Sequence, residues 1–403
     1  MPQPDTVLSE QVDKRGSDRA LLERIALYRN RRELPPIQRA LIDELAAWLR
    51  THGTDPHSYV SRLFERHQIV FVGHHTPTRR AGLFLQDLVA AAFGAGVRIV
   101  GIEYACVDDQ ARLDAVVTGA GFDEHLARDA LLRWGIRHHF AYREYLDVLG
   151  AVWEVNHRYV GSGTPMRVLG LDYDLDMDAV TDTADLRTSY AWPHLRSRGP
   201  VSAHMCDVLL AEVIEPGHRA LVLTRTAHAM TRAKRLPHRL WDAFDAEIVG
   251  GQVVGAGNRV YEAVADRAVT VLIHEPLPAD GELGDYALVA DGAVDATFAL
   301  HDDLAVPLAF DTDRGPPARL GCSTSLDRVP LSGLATGWVY LEPDYQRRAP
   351  TPLAEPVPAA YVDSARRYAI DPALRDGRST ARDFAAAVSE SAAAAELAWT
   401  QVL

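Results

Sequence analysis

The sequence predicts an α/β protein, with a central, mainly parallel sheet flanked by helices and carrying helical insertions. Three observations predict it. From residue 68 onward, apolar runs of strand length alternate with helix-length segments. The runs are continuously apolar, as strands covered on both faces are. Five of them end in an ionisable residue at or just past the carboxyl end. That is where an open parallel sheet gathers its ligands.

Residues 1–67 read as a helical lead-in. Leu21, Leu22, Ile25 and Leu27 form one apolar stripe, and Ile37, Leu41, Ile42, Leu45 and Leu49 another. Leu34-Pro35-Pro36 separates them, with proline at a helix start, where its missing N–H costs nothing. Leu63 and Phe64 close a third short helix. Residues 68–345 read as the α/β domain. Ile69–Gly73 is a strand, Gly82–Phe93 a helix stopped by Gly94 and Gly96, and Val97–Ile102 the next strand. Two buried runs joined by such a helix make a parallel βαβ unit. Asp108–Val117 is helical, and helices continue to about residue 158. Tyr142, Tyr145, Leu146, Leu149 and Trp153 share one side there and read as core.

Arg167–Leu171 is the third strand. Residues 174–200 are polar and aperiodic and read as an insertion over the cleft. Ala203–Val213 is helical and Ala220–Thr224 a strand, and Pro237–Phe244 is a short helix. Val269–Ile273, Val294–Leu300 and Gly337–Leu341 read as strands. Residues 346–403 form an alanine-rich helical tail packed on the domain.

The composition excludes several classes. The chain has 403 residues, is 47% hydrophobic and 24% charged, and carries a formal charge of −13. Such a chain repels phosphate backbones, so nucleic acid is not an expected partner. Cys106, Cys206 and Cys322 are far apart with no CxxC spacing, which fits a reducing compartment. The amino terminus has no apolar signal core. No apolar run approaches the roughly 18 residues of a membrane helix. A cytoplasmic protein with a small-molecule substrate and no membrane partner is expected; the sequence does not fix an oligomeric state.

The candidate site is the set of strand ends. His74-His75 follows the first strand, and histidine titrates near neutrality and serves as base or metal ligand. In extended chain only one of the two faces the cleft. Glu103 ends an apolar strand, where a carboxylate needs a partner. It would orient a histidine, hold an arginine or ligate a metal. Asp172 stands in the same situation one strand on. His228 lies four residues past the fourth strand, as a second acid–base group or ligand. His274 ends the fifth strand and is a weaker candidate, because that strand is placed near the sheet edge. Arg79, Arg80 and Arg225 lie close to these ends, and an arginine there can steady developing negative charge. Tyr104 and Arg225, with Asp172, are read as substrate-binding. His138, His139, His157 and His204 fall on helices and read as packing or solvated. There is no dinucleotide fingerprint, no P-loop, no H-E-x-x-H and no G-x-S-x-G elbow. The glycines of GGQVVGAG lack the strand–helix context of a phosphate cradle.

The segments IVFVGHHTPTRR, VGIEYACVDDQARLDAVVTG, MRVLGLDYD and ALVLTRTAHA resemble the erythromycin-esterase-like and ChaN-like superfamily, which includes the TIKI/TraB proteins. The resemblance covers roughly residues 65–275. It matches a first strand leading to histidine, and a second ending in glutamate with Gln110, Leu113, Asp114 and Gly119 behind it. A late strand leading to a histidine is matched at His228. The resemblance implies a mixed α/β fold with a cleft built on these histidines and carboxylates. It implies water activation by histidine, as in the esterases, or metal-dependent peptidase chemistry or haem binding, as in other branches. The chain departs from the pattern at His74, where relatives usually carry glutamate directly after the glycine. Without an export signal, haem is not an expected cofactor.

The expected function is therefore an enzyme acting on a small or medium organic molecule by His/Glu acid–base chemistry. Hydrolysis of an ester or lactone is the default, with a diverged biosynthetic step such as cyclisation, elimination or bond cleavage beside it. In that scheme His74 or His75 is the base, Glu103 its orienter or a substrate holder, His228 the partner acid and Arg79 the anion stabiliser. The alternatives are a divalent-metal hydrolase on His75, Glu103 and His228, and a haem or small-molecule binder without turnover.

Overall fold

A computed structural model describes residues 36–402, apart from 76–77, 139, 160–162, 178–194, 234–246, 250–251, 279–285, 324–327 and 344–345. The apolar stripe at residues 21–27, the expected helix at 237–244 and most of the insertion at 174–200 lie outside the described residues.

The sheet forms from the runs the sequence marks. Its strands are β1 (Ile69–His74), β2 (Ile99–Cys106), β3 (Arg167–Asp172), β4 (Ala220–Arg225), β5 (Ala268–Ile273), β6 (Leu308–Asp311) and β7 (Gly337–Tyr340). They lie in the order β6-β7-β5-β1-β4-β2-β3. All neighbours are parallel except β6 with β7. The fold is α/β, as the continuously apolar runs predict. Residues of β1, β2, β4 and β5 are buried on both faces.

Helices cover both faces. The elements used below are α1 (Pro36–His52), α2 (Pro56–Leu63), α3 (Arg79–Gly94), α4 (Gln110–Thr118), α5 (Glu124–His138), α6 (Arg143–Arg158), α7 (Val201–Leu209), α8 (Thr226–Ala229), α9 (Ala256–Val264), α10 (Ala293–Leu300) and α11 (Ala381–Val402). One face packs Val70, Val72, Ile102, Leu221 and Leu223 against α3, α4, α5 and α6. The other packs Phe71, Leu171, Val222 and Leu272 against α1, α7, α9 and α10. Asp55 caps α2 by accepting from Ser58 N at 2.8 Å, and Thr78 caps α3 by accepting from Ala81 N at 3.2 Å. Among the described residues no helix is long and apolar enough to cross a membrane.

Three expectations need correction. Residues 294–300, read as a strand, are helix α10. Their alternating Val294, Ala296 and Phe298 mimic period two, but Val294, Thr297 and Phe298 also sit on one helical face, and packing against α1 selects the helix. Strand β2 does not stop at Ile102 but runs to Cys106, with its register to β3 slipping between the two. Strand β6, which the sequence reading missed, is a four-residue antiparallel edge.

Candidate functional site

The strand order contains a reversal point. From β1 the chain leaves through α3 on one face of the sheet, and from β4 it leaves through α8 and α9 toward the other. β1 and β4 are neighbours. Connections that part to opposite faces open a crevice at the carboxyl ends, where α/β sheets bind their ligands. At this reversal point the register pairs His74 directly with Arg225.

Arg225 is held by Glu103. The carboxylate accepts the Arg225 backbone N–H at 2.6 Å through Oε2, and Arg225 Nε donates to Oε1. Glu103 is 1% exposed. It sits where β2 loses register with β3, and irregularities of this kind re-aim side chains beside active sites. Of the three roles the sequence offered Glu103, the structure places it in the second: it holds an arginine.

His228 lies on α8, the one-turn helix that begins directly after Arg225, and is buried. Glycines on both sides allow this. A Cβ at Gly73 would stand 2.6 Å from Ala229 Cβ and 3.3 Å from Thr226 Cα. A Cβ at Gly257 would stand 2.6–2.9 Å from the carbonyls of Met230, Ala229 and His228. The helix carrying His228 is thus wedged between β1 and the glycine-rich turn before α9. That is the structural use of Gly257. Contrary to the sequence reading, its segment does have a strand–helix context, the short strand Gln252–Val254 running through Gly255 into α9.

His74 is buried and turns toward α3 and α6, its ring 6.0 Å from that of Tyr145. It shares a cavity of about 10 Å³ with Thr78, Gly82, Tyr142, Glu144 and Tyr145. Glu144, which sequence reasoning passed over, spends its carboxylate on Thr351, accepting from its backbone N–H at 2.9 Å and its hydroxyl at 2.8 Å. His75 follows β1 and is half-buried. Arg79 is exposed as the first residue of α3, where its backbone N–H donates to Arg348 O at 3.1 Å. The arginine of the buried rim is Arg225.

Two other strand ends are committed elsewhere. Asp172 ends the edge strand β3. His274 follows β5, which lies between β1 and β7 and not near the sheet edge, as the sequence reading had placed it. Asp172 pairs with Arg137 of α5 and accepts from Tyr173 N at 2.7 Å. Arg137 also donates to Tyr173 O at 3.0 Å. His274 is 1% exposed, accepts from Trp338 Nε1 at 3.0 Å through Nδ1, and meets Asp295 at 2.9 Å through Nε2. With Nδ1 accepting, Nε2 carries the proton, and both nitrogens are engaged. Tyr104 lies on β2 against Tyr145, the rings stacked at 4.2 Å. Burial pushes the Tyr104 phenol well above its ordinary value. Among the described residues no group of three His, Cys, Asp or Glu side chains is gathered to hold a metal ion.

No family model and no curated protein matches the chain. Among solved structures it is similar to a succinoglycan biosynthesis protein, at 10% identity and TM-score 0.49 over 77% of this chain and 98% of that one. It is similar to a protein from Bacillus cereus, at 12% identity and TM-score 0.44 over 74% and 97%. It is also similar to an erythromycin esterase mutant in its open conformation, at 11% identity and TM-score 0.44 over 70% and 92%. These are distant likenesses of fold, and at such scores they carry no argument about the site.

Proposed function

We propose that the chain is an enzyme working by general acid–base chemistry on a small or medium organic molecule, with hydrolysis of an ester or lactone as its reaction. One observation carries the reading. At the reversal point of the sheet stand buried His74, the pair of buried Glu103 with partly buried Arg225, and the helix bearing buried His228.

In this reading His74, or His75 beside it, takes a proton from water as the oxygen adds to the carbonyl carbon. Arg225, fixed by Glu103, faces the oxygen on which negative charge develops. His228 returns a proton to the leaving oxygen as the carbon–oxygen bond breaks. A positioned base contributes about 10²–10⁴-fold, and one donor to the developing oxyanion about 10²–10³-fold. On sequence alone the anion-stabilising role falls to Arg79, which is exposed; here it passes to Arg225, which is partly buried and held by Glu103.

The metal-dependent alternative finds less support. Its set of His75, Glu103 and His228 needs a free carboxylate, and Glu103 is committed to Arg225 through both oxygens. Elemental analysis and assay in chelator check it directly.

The test is turnover of a panel of p-nitrophenyl esters and simple lactones by the wild type and by His74→Ala, His75→Ala, His228→Ala and Arg225→Met. Losses of about a hundredfold or more at His74 or His75, and at His228, are expected. Unchanged turnover in all four variants would reject the assignment.

A further inference from the structure

We propose that the Tyr104 hydroxyl is a substrate-binding group, donating a hydrogen bond to the carbonyl oxygen of a short acyl ester lodged between β2, α5 and α6. The inference rests on the hydrolytic reading above and names its substrate class.

Tyr104 is 3% exposed, and no described residue hydrogen-bonds its hydroxyl. A buried hydroxyl without a partner costs the fold stability and calls for an explanation. Its surroundings suggest one. The ring lies flat on Tyr145 at 4.2 Å and edge-on to Trp134 at 6.1 Å. Tyr145 in turn lies 6.0 Å from His74. Tyr104 and His74 therefore both lie near one aromatic ring, that of Tyr145. The cavity before Tyr104 is walled by Trp134, Tyr142, Tyr145, Leu146 and Val388. Tyr142 and Tyr145 also wall the cavity at His74.

Size decides the ligand. The Tyr104 cavity holds about 20 Å³. A single water needs roughly 10–15 Å³ on that measure. The space takes a methyl-sized group and excludes an aromatic ring or a long chain. An acetyl ester satisfies both constraints: its methyl enters the cavity and its carbonyl oxygen supplies the missing acceptor. Because burial raises the Tyr104 ionisation, the phenol keeps its proton and remains a donor.

The test separates binding from turnover. Ethyl acetate is titrated into His74→Ala and into the double variant with Tyr104→Phe, and binding is followed by ligand-observed NMR. Binding at least tenfold weaker in the double variant is expected, with ethyl octanoate bound at least tenfold more weakly than ethyl acetate by His74→Ala. Equal affinities in either comparison, or no binding by His74→Ala, would overturn the proposal. The melting temperature of Tyr104→Phe should equal or exceed that of the wild type. A lower one would show that the hydroxyl is satisfied by water in the free protein, which also overturns it. Tyr104-dependent binding without wild-type turnover of any ester would leave this site standing and reject the hydrolytic reading alone.

Discussion

Replacing Glu103 by Gln tests the centre of the site, because the consequences follow from its two hydrogen bonds. Glu103 is 1% exposed and the Arg225 side chain 13% exposed, so neither charge is well solvated. Both carboxylate oxygens accept from Arg225, one from the backbone N–H and one from the guanidinium. Glutamine has the same shape but offers one acceptor and one donor. Whichever way its amide turns, an N–H faces an N–H. A hydrogen bond to a charged group contributes about 1.5–3 kcal/mol. Removing one partner of a buried ion pair costs about 3–5 kcal/mol, since the other charge stays behind. Glu103→Gln should therefore lower unfolding stability by about 3 kcal/mol or more. Arg225→Met should cost a similar amount. The double variant, with neither charge, should cost less than the sum of the two. A coupling of about 2 kcal/mol falls within the range measured for contacting residues. Urea unfolding followed by circular dichroism reads all four species, provided the slopes agree. A loss within about 0.5 kcal/mol for Glu103→Gln, the size of an ordinary surface change, would refute the reasoning. It would mean that the pair is hydrated and that Arg225 is not fixed.

Three further outcomes follow from the same geometry. Gly73→Ala should push the helix carrying His228 off β1. Its new methyl would stand 2.6 Å from Ala229 Cβ and 2.7 Å from Leu272 Cδ2. Overpacking of this kind costs about 1–3 kcal/mol, and the melting temperature and turnover should fall together; a variant as stable and active as the wild type would contradict the wedge. Trp338→Phe removes the donor to His274 Nδ1. It should cost about 1–3 kcal/mol from the orphaned nitrogen alone, and an unchanged urea midpoint would show that the imidazole does not rely on it. Glu342 has its pKa raised from 4.5, chiefly by burial and against the pull of Arg347, Arg80 and Arg348. A folded-state pKa above the unfolded one means that folding penalises the ionised form. That penalty is complete above the folded pKa and vanishes as pH falls below about 4.5. Glu342→Gln should therefore raise the melting temperature at pH 7 and leave it unchanged at pH 4; a loss at pH 7 would show that its arginine contacts outweigh its burial.

The parts of this architecture legible in the sequence are those fixed by local pattern. Ile69–Val72 and Ala220–Leu223 are uniformly apolar because both faces of their strands are covered. They could be read without knowing their neighbours. The ionisable strand ends were legible for the same reason, since a charge after an apolar run stands out. Their partners were not legible. Glu103 meets Arg225 because β4 inserts between β1 and β2, and nothing in the intervening 121 residues encodes that insertion locally. Asp172 meets Arg137 because α5 crosses over the end of β3. The glycines at 73, 255 and 257 were visible as residues, but their purpose is a close approach between segments far apart in sequence. Strand β6 escaped because four residues at an antiparallel edge carry too little pattern. Residues 294–300 misled because a short apolar run satisfies both periods, and tertiary packing chooses between them.

The strand ends divide by the partners that reach them, and the division has a physical cause. A buried charge or imidazole must find partners or destabilise the fold. At β3 and β5 the covering elements supply them. Asp172 receives Arg137 and a backbone amide, and His274 receives Trp338 and Asp295. Between β1 and β4 the connections leave toward opposite faces. The histidines and the glutamate there are as buried as the groups at the other strand ends, and local contacts set the positions. Glycine contacts set the His228 helix, and Glu103 sets Arg225. The same five strand ends, alike in sequence, thus differ in the partners the fold brings to them, and topology rather than residue type makes the difference.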